Sequence, residues 1–261
     1  MKTTFTSKLF LFLSLTFAFA ACNDKEEDDA TPDIIETAAC RLTDVTDNDE
    51  EANKVEYNSS GFVVKLTETD EDDEVYTTTF IYDANNRLIK EESRENGQLD
   101  DYTTYEYTNN LITTSKYYDA DGTLEDTEVY KYDGNNRIVE ISDDSNYKTT
   151  FTYDANGNVT KVESFDLNRL TDRQVYENYD DKPTALSAVK GLFFGYAGVS
   201  KNNPGKATYY YDADGDGVLD TSPSGITTYT YKYNNNGYPT QIIETDEDND
   251  TYTTNYTYQC E

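Results

Sequence analysis

An all-β fold is expected for this chain: an antiparallel meander of repeated β-hairpins, curled into a sheet or closed like a barrel, and soluble. Tyrosine occurs 25 times and recurs at regular spacing, with Asn- and Gly-containing turns behind it at a fixed offset. Hydrophobic residues make up only 36% of the 261 positions, whereas aromatic residues reach 14%. That balance suits a sheet with one buried face, because a tyrosine ring covers apolar area while its hydroxyl stays at a wet edge.

The repeated unit runs aromatic-x-Tyr, then Asp or Asn, a turn, and an aliphatic or β-branched strand. It appears at Phe80 to Ile89, Tyr130 to Val139, Phe151 to Val159 and Tyr231 to Tyr238. Tyr57, Tyr82, Tyr107 and Tyr132 are each 25 residues apart, as are Tyr233 and Tyr258, a period that marks a repeat architecture. A longer match supports it: Glu68 to Asp72, leading to Tyr76 and Tyr82, recurs as Glu244 to Asp248, leading to Tyr252 and Tyr258.

Asn-Asn and Asn-Gly tolerate the positive φ that a two-residue type I′ hairpin needs at both central positions. A turn centred on Asn135-Asn136 pairs Tyr132 with Val139 and Tyr130 with Ile141 on one face, and Lys131 with Glu140 on the other. The same rule pairs Tyr231 with Ile242 and Tyr233 with Thr240, and Phe151 with Val162. Aromatic-aliphatic pairs then point inward, and a slip of one residue would turn the tyrosine row to solvent. The same rule sets Phe80 opposite Glu91, a mismatch.

These residues resemble the YD repeats of the Rhs family and the short Rhs-like lipoproteins of unknown function in the Bacteroides and Flavobacterium lineage. Tyr-Asp stands at Tyr82-Asp83, Tyr132-Asp133 and Tyr153-Asp154. The resemblance covers roughly residues 55 to 180 and 207 to 258, and implies about a dozen or more short strands. Full Rhs proteins wrap a shell around a toxin; this chain has neither that length nor a toxin domain. An outer-membrane barrel is the rival architecture, yet the faces opposite the tyrosines carry Lys, Glu, Asp and Gln where lipid requires an apolar band.

Residues 1–21 read as a signal peptide, with Lys2 and Lys8 before an apolar run from Leu9 to Ala21 that is too short to span a bilayer. Phe19-Ala20-Ala21-Cys22 resembles a lipobox, which makes Cys22 the lipidated first residue of the mature chain. Residues 22–39 form an acidic tether; Asn23 to Asp29 resembles a surface-export signal, so an outer-membrane lipoprotein exposed on the cell surface is expected, with a periplasm-facing one as the alternative. The repeat domain then spans residues 40–261.

In an oxidising envelope compartment Cys40 and Cys260 are candidates for a disulfide joining the first and last strands. From about 180 to 206 the repeat lapses, and Leu192, Phe193 and Phe194 gather in its most apolar stretch. This insert is either a plug over one end of the sheet or an exposed patch that docks a partner. Asp212, Asp214, Asp216 and Asp220 place oxygens at positions 1, 3, 5 and 9 of a calcium loop, with Gly217 at 6 for the sharp turn and the Val218 carbonyl at 7, but with Pro223 at position 12 in place of the bidentate Glu. A weak Ca²⁺ site or a plain hairpin turn both fit.

With 52 Asp and Glu against 21 Lys and Arg, a formal charge of −31 and no histidine, the chain lacks the phosphate-neutralising surface that nucleic acid requires. It also cannot build a His-based catalytic pair or a His-ligated zinc. No pair of carboxylates stands out among the acids. The expectation is a non-catalytic, lipid-anchored envelope protein that touches the membrane through its lipid only, with a surface glycan-binding or glycan-processing accessory protein as the alternative and a protein or glycan as partner.

Overall fold

The computed structural model describes residues 40–47, 53–69, 74–193, 200–212 and 218–260. Sixteen strands follow one another: β1 (Cys40–Asp47), β2 (Asn53–Tyr57), β3 (Val63–Thr69), β4 (Val75–Tyr82), β5 (Leu88–Glu95), β6 (Gln98–Thr108), β7 (Leu111–Asp119), β8 (Leu124–Tyr132), β9 (Ile138–Ser142), β10 (Tyr147–Tyr153), β11 (Val159–Asp166), β12 (Arg169–Glu177), β13 (Lys206–Tyr211), β14 (Gly225–Tyr233), β15 (Pro239–Thr245) and β16 (Thr251–Cys260). Each pairs with its chain neighbours, and β1 pairs antiparallel with β16, so the meander is a closed barrel. Closure leaves no free strand edge. At the seam Cys40 lies opposite Cys260 and their sulfurs are bonded, with the Cα atoms 4.0 Å apart.

The turns behind Tyr57, Tyr82, Tyr132, Tyr153 and Tyr233 differ from the expected type I′ geometry, whereas Asn109-Asn110 behind Tyr107 keeps two positive φ values, 51° and 64°. At Asp133 to Arg137 only Asn136 has a positive φ, 61°. The Asp133 amide donates to the Arg137 carbonyl, and Asp133 Oδ1 accepts from the amides of Asn135 and Arg137 at 2.8 and 3.0 Å. Asn58, Asp83, Asp154 and Asn234 hold the amides two and four residues ahead in the same way. An Asx side chain that bonds its own loop needs one left-handed residue rather than two. The extra loop residue creates a bulge, so Tyr132 pairs with Ile138 and Tyr233 with Pro239, one position short of the expected Val139 and Thr240. Beyond the bulge the pairs Tyr130–Ile141, Lys131–Glu140, Tyr231–Ile242 and Phe151–Val162 form as expected.

Because every second side chain faces inward, the turns position one tyrosine per hairpin just inside the barrel mouth. Each hydroxyl reaches back to a carbonyl of the preceding hairpin: Tyr57 to Leu42, Tyr82 to Val63, Tyr107 to Leu88, Tyr132 to Ile112, Tyr153 to Ile138, Tyr231 to Pro204 and Tyr258 to Pro239, all at 2.6–2.7 Å. Tyr179 bonds the Val159 carbonyl likewise. These bonds run round the mouth at the Tyr-Asp end and give the repeat period its structural meaning. Arg87 and Arg137 pair with Asp83 and Asp133 of their own turns and lie over the rings of Tyr107 and Tyr153, 4.8 and 4.5 Å from the ring centres.

Tyr179-Asp180 is a further copy of this turn, one that the sequence reading passed over. Asp180 Oδ1 accepts from the amides of Lys182 and Asn203, so Asn203 stands where the fourth residue of an ordinary turn would. The insert is therefore a long excursion from a standard Tyr-Asp turn. It folds back into the mouth through a short 3-10 helix at Ala185–Ala188, and Ala185, Ala188, Val189 and Leu192 join Leu42, Val63, Phe80, Leu88 and Ile242 in one buried cluster. Gly191, at φ +98°, passes so close that a Cβ would lie 2.6 Å from Phe62 Cδ1.

Outside, the wall is charged. Lys90 and Arg94 bind Glu92, Lys161 and Arg173 bind Glu163, Lys131 binds Glu140 and Lys206 binds Glu177. Lys131, Glu140, Arg173, Glu177 and Lys206 occupy positions that alternate with the buried Tyr130, Ile141, Tyr176 and Ala207 of the same strands.

Candidate functional site

Phe193 ends the described part of the plug. Its ring meets those of Tyr105 and Tyr130 edge-on, with centres 5.7 and 5.0 Å away, and so forms a floor across the lumen. Leu192 is 8% exposed and Phe193 is half-buried, so both pack against the interior. The aliphatic run is consumed by filling the mouth. Phe194 lies outside the described residues.

Beyond this floor, toward the opposite end, the inward positions change character. Strands β5 to β8 contribute Glu91, Ser93, Glu95, Asp101, Tyr105, Ser115, Tyr117, Glu128 and Tyr130, and the strands from β12 onward contribute Gln174, Tyr176, Tyr209, Tyr229 and Glu244. Tyr130 donates to Glu128 and lies 2.8 Å from Ser115 Oγ. Tyr176 donates to Gln174 at 2.6 Å, and the hydroxyls of Tyr209 and Tyr229 are 3.3 Å apart. Glu91, the mismatched partner of Phe80, faces this lumen and is bonded by Tyr105.

Burial pushes the Glu91 carboxyl up to about 7, and burial followed by repulsion from Asp47 does the same to Glu244. Asp101 is raised as well, chiefly by burial. The Tyr117 hydroxyl is pushed up to about 12 by burial and then by Asp101. This half of the lumen is thus a wall of hydroxyl donors and carboxylate acceptors set among aromatic rings. Such a wall can hold hydroxyl-rich or positively charged ligands, and two of its carboxyls exchange protons near neutrality. The alternation of Glu91, Ser93 and Glu95 was the available sequence signal, hidden among the other acids.

Of the calcium-loop residues, Asp212 follows β13 directly, Val218 and Asp220 lie in the β13–β14 connection, and Asp214 and Asp216 are outside the described residues. Among the described residues no group of three or more His, Cys, Asp or Glu is placed to hold a metal. The connection folds onto the outer wall, where Val218, Leu219, Asp220 and Thr221 with Arg169, Leu170, Arg173, Val175 and Tyr210 line a groove of about 550 Å³. Cys22, the expected lipidation site, and the rest of residues 1–39 also lie outside the described residues.

The RHS repeat family matches residues 132–166, the stretch that holds two successive Tyr-Asp turns. No curated protein matches the chain. Among solved structures, the chain is similar to a porin-like protein from Bacteroides uniformis at 16% identity, over 85% of this chain and 97% of that one, with a TM-score of 0.54. A porin-like protein from Bacteroides vulgatus matches at 12% identity, over 84% and 99% of the two chains, with a TM-score of 0.42. The Photorhabdus luminescens Tc holotoxin pore matches 78% of this chain and 9% of its own at 17% identity, with a TM-score of 0.20. Residues 132–166 thus carry an RHS repeat, and because the same Asx turn recurs at Asp83 and Asp180 the chain is Rhs/YD-repeat-like in its repeat.

Proposed function

We propose that the chain is a non-catalytic, lipid-anchored protein of the cell envelope whose β-repeat barrel is a binding scaffold, with the polar half of the lumen as its ligand site. The observation that carries this reading is the asymmetry of the lumen: an internal plug and aliphatic core fill one end, and hydroxyls and carboxylates line the other. The ion-paired outer wall supports a barrel that stands in water rather than one that spans lipid, since a spanning barrel needs an apolar band at those positions. Cys22 supplies the membrane attachment, residues 22–39 hold the barrel off the surface, and the outer membrane is the location, facing outward or into the periplasm. Weak Ca²⁺ binding at Asp212, Asp214, Asp216, Val218 and Asp220 would brace the β13–β14 connection.

Attachment is tested by palmitate labelling of the full chain in a Gram-negative host; Cys22→Ser should abolish label, and label that persists would overturn the anchor. Binding is tested by a melting-temperature screen against cationic and polyhydroxyl compounds. Any compound that stabilises the parent should lose its effect in Gln174→Ala or Glu91→Gln; stabilisation that survives both would move the site elsewhere.

A glycan-binding reading has its own observation. On the outer wall the rings of Tyr102 and Tyr118 stack 4.8 Å apart at an 11° interplanar angle, with Lys90 4.0 Å above Tyr102. Tyr102→Ala should then abolish any signal on a glycan array, and array binding unaffected by it would remove this reading.

A further inference from the structure

Four of the five buried side-chain oxygens that have no hydrogen-bond partner among the described residues lie on three neighbouring strands at the barrel seam: Asp47 Oδ1 on β1, Asn53 Oδ1 on β2, and Thr254 Oγ1 and the Tyr256 hydroxyl on β16. Thr254 is 0% exposed and Tyr256 5%. An unpaired buried oxygen has given up its water partners without replacing them and is destabilising, so their concentration in one place calls for a common cause.

The register brings them together. Val45 pairs with both Asn53 and Tyr256, Asp47 pairs with Thr254, and Thr254 also pairs with Ile242, two residues before Glu244 on β15. All five polar side chains share the inward face, on strands about 4.8 Å apart. Asp47 acts on both Glu244 and Tyr256 electrostatically, which places their charges within reach of one another. The cluster contains two carboxylates, an amide oxygen and two hydroxyls, and no basic residue.

We infer that Asp47, Asn53, Glu244, Thr254 and Tyr256 form a site for a hard divalent cation of the calcium class. Oxygen-only donors with two carboxylates match what calcium takes, and the absence of nitrogen and sulfur disfavours transition metals. A cation there neutralises two like charges that flank β16 from either side and satisfies the orphaned oxygens. It also clamps β15, β16, β1 and β2, the strands on either side of closure. The site is separate from the 212–220 loop, and it stands whether or not the lumen carries a ligand.

Terbium chloride is the probe, because Tb³⁺ takes calcium sites and is sensitised by nearby tyrosines in a chain with no tryptophan. The full chain should give saturable emission on tyrosine excitation, displaced by CaCl₂. Glu244→Gln and Asp47→Asn should each weaken that binding at least tenfold, whereas Asp216→Ala should leave it in place. Thr254→Val, which keeps the side-chain shape, should weaken it about threefold and decides the matter if the carboxylate variants fail to fold by circular dichroism. Emission unchanged in folded Glu244→Gln or in Thr254→Val, emission lost only in Asp216→Ala, or no saturable emission in the parent would overturn the site.

Discussion

At the Tyr-Asp end the inward residues Leu42, Val63, Leu88, Ile112, Ile138 and Val159 are between 0 and 7% exposed. Further along the same sheet the inward side chains include Tyr117 and Tyr211, which are 37 and 47% exposed, and Glu95, which is half-buried. The backbone is one continuous meander, so the difference comes from side chains and from the turns. Where Asx turns, tyrosine hydroxyls and the folded-back insert converge, the lumen is solid. At the other end, two connections are two-residue turns with paired positive φ, at Asn96-Gly97 and Leu167-Asn168. A repeat can thus be rigid at one end and keep a polar interior at the other.

The contrast can be broken most strongly at the seam. Replacing Cys40 and Cys260 with serine frees a loop of 220 residues and should cost about 5 kcal/mol in the chain-entropy description, read as a lower midpoint in urea. Next, Leu88→Ala at the filled end should cost about 3 kcal/mol by opening a cavity, while Thr103→Ala, inward on the neighbouring strand but in the polar half, should cost under about 0.5 kcal/mol. Equal losses would show that both halves are packed alike.

Gly191→Ala tests the plug. A Cβ at that φ meets Phe62 and the Tyr82 hydroxyl, and about 2 kcal/mol of stability should go with faster amide exchange in residues 185–192. Glu91→Gln probes the polar half through pH. The Glu91 carboxyl titrates near 4.5 unfolded and about 7 folded, so the native state holds the extra proton between these values and stability falls as pH rises through that window. The variant should remove about 1–2 kcal/mol of that fall; an unchanged pH profile would take Glu91 out of the interior. Smallest is Tyr132→Phe, which strips the bond to the Ile112 carbonyl and should cost about 1 kcal/mol, against no measurable loss for Tyr211→Phe at the far end.

Much of this was legible beforehand. The face choice at Tyr130–Ile141 and Phe151–Val162 follows from alternation, and Phe80 opposite Glu91 is real: the charged partner marks where the lumen turns polar. The bulge that moves Tyr132 onto Ile138 was not legible, because it depends on whether Asp133 spends its carboxylate on two loop amides, a choice between turns of similar sequence. Leu192 and Phe193 read as a plug or as a patch, since an apolar run does not say what will cover it.

By itself the sequence determined what is local: strand alternation, the place of each turn, the inward tyrosine and the charged outer face, all set by side-chain chemistry within a few residues. Only the tertiary structure decided closure of sixteen strands, the pairing of β1 with β16, the return of the insert into the mouth and the meeting of Asp47 with Glu244. Those contacts join residues far apart in the chain, and they depend on accumulated twist and on how many strands complete the circle, quantities that no short stretch of residues carries.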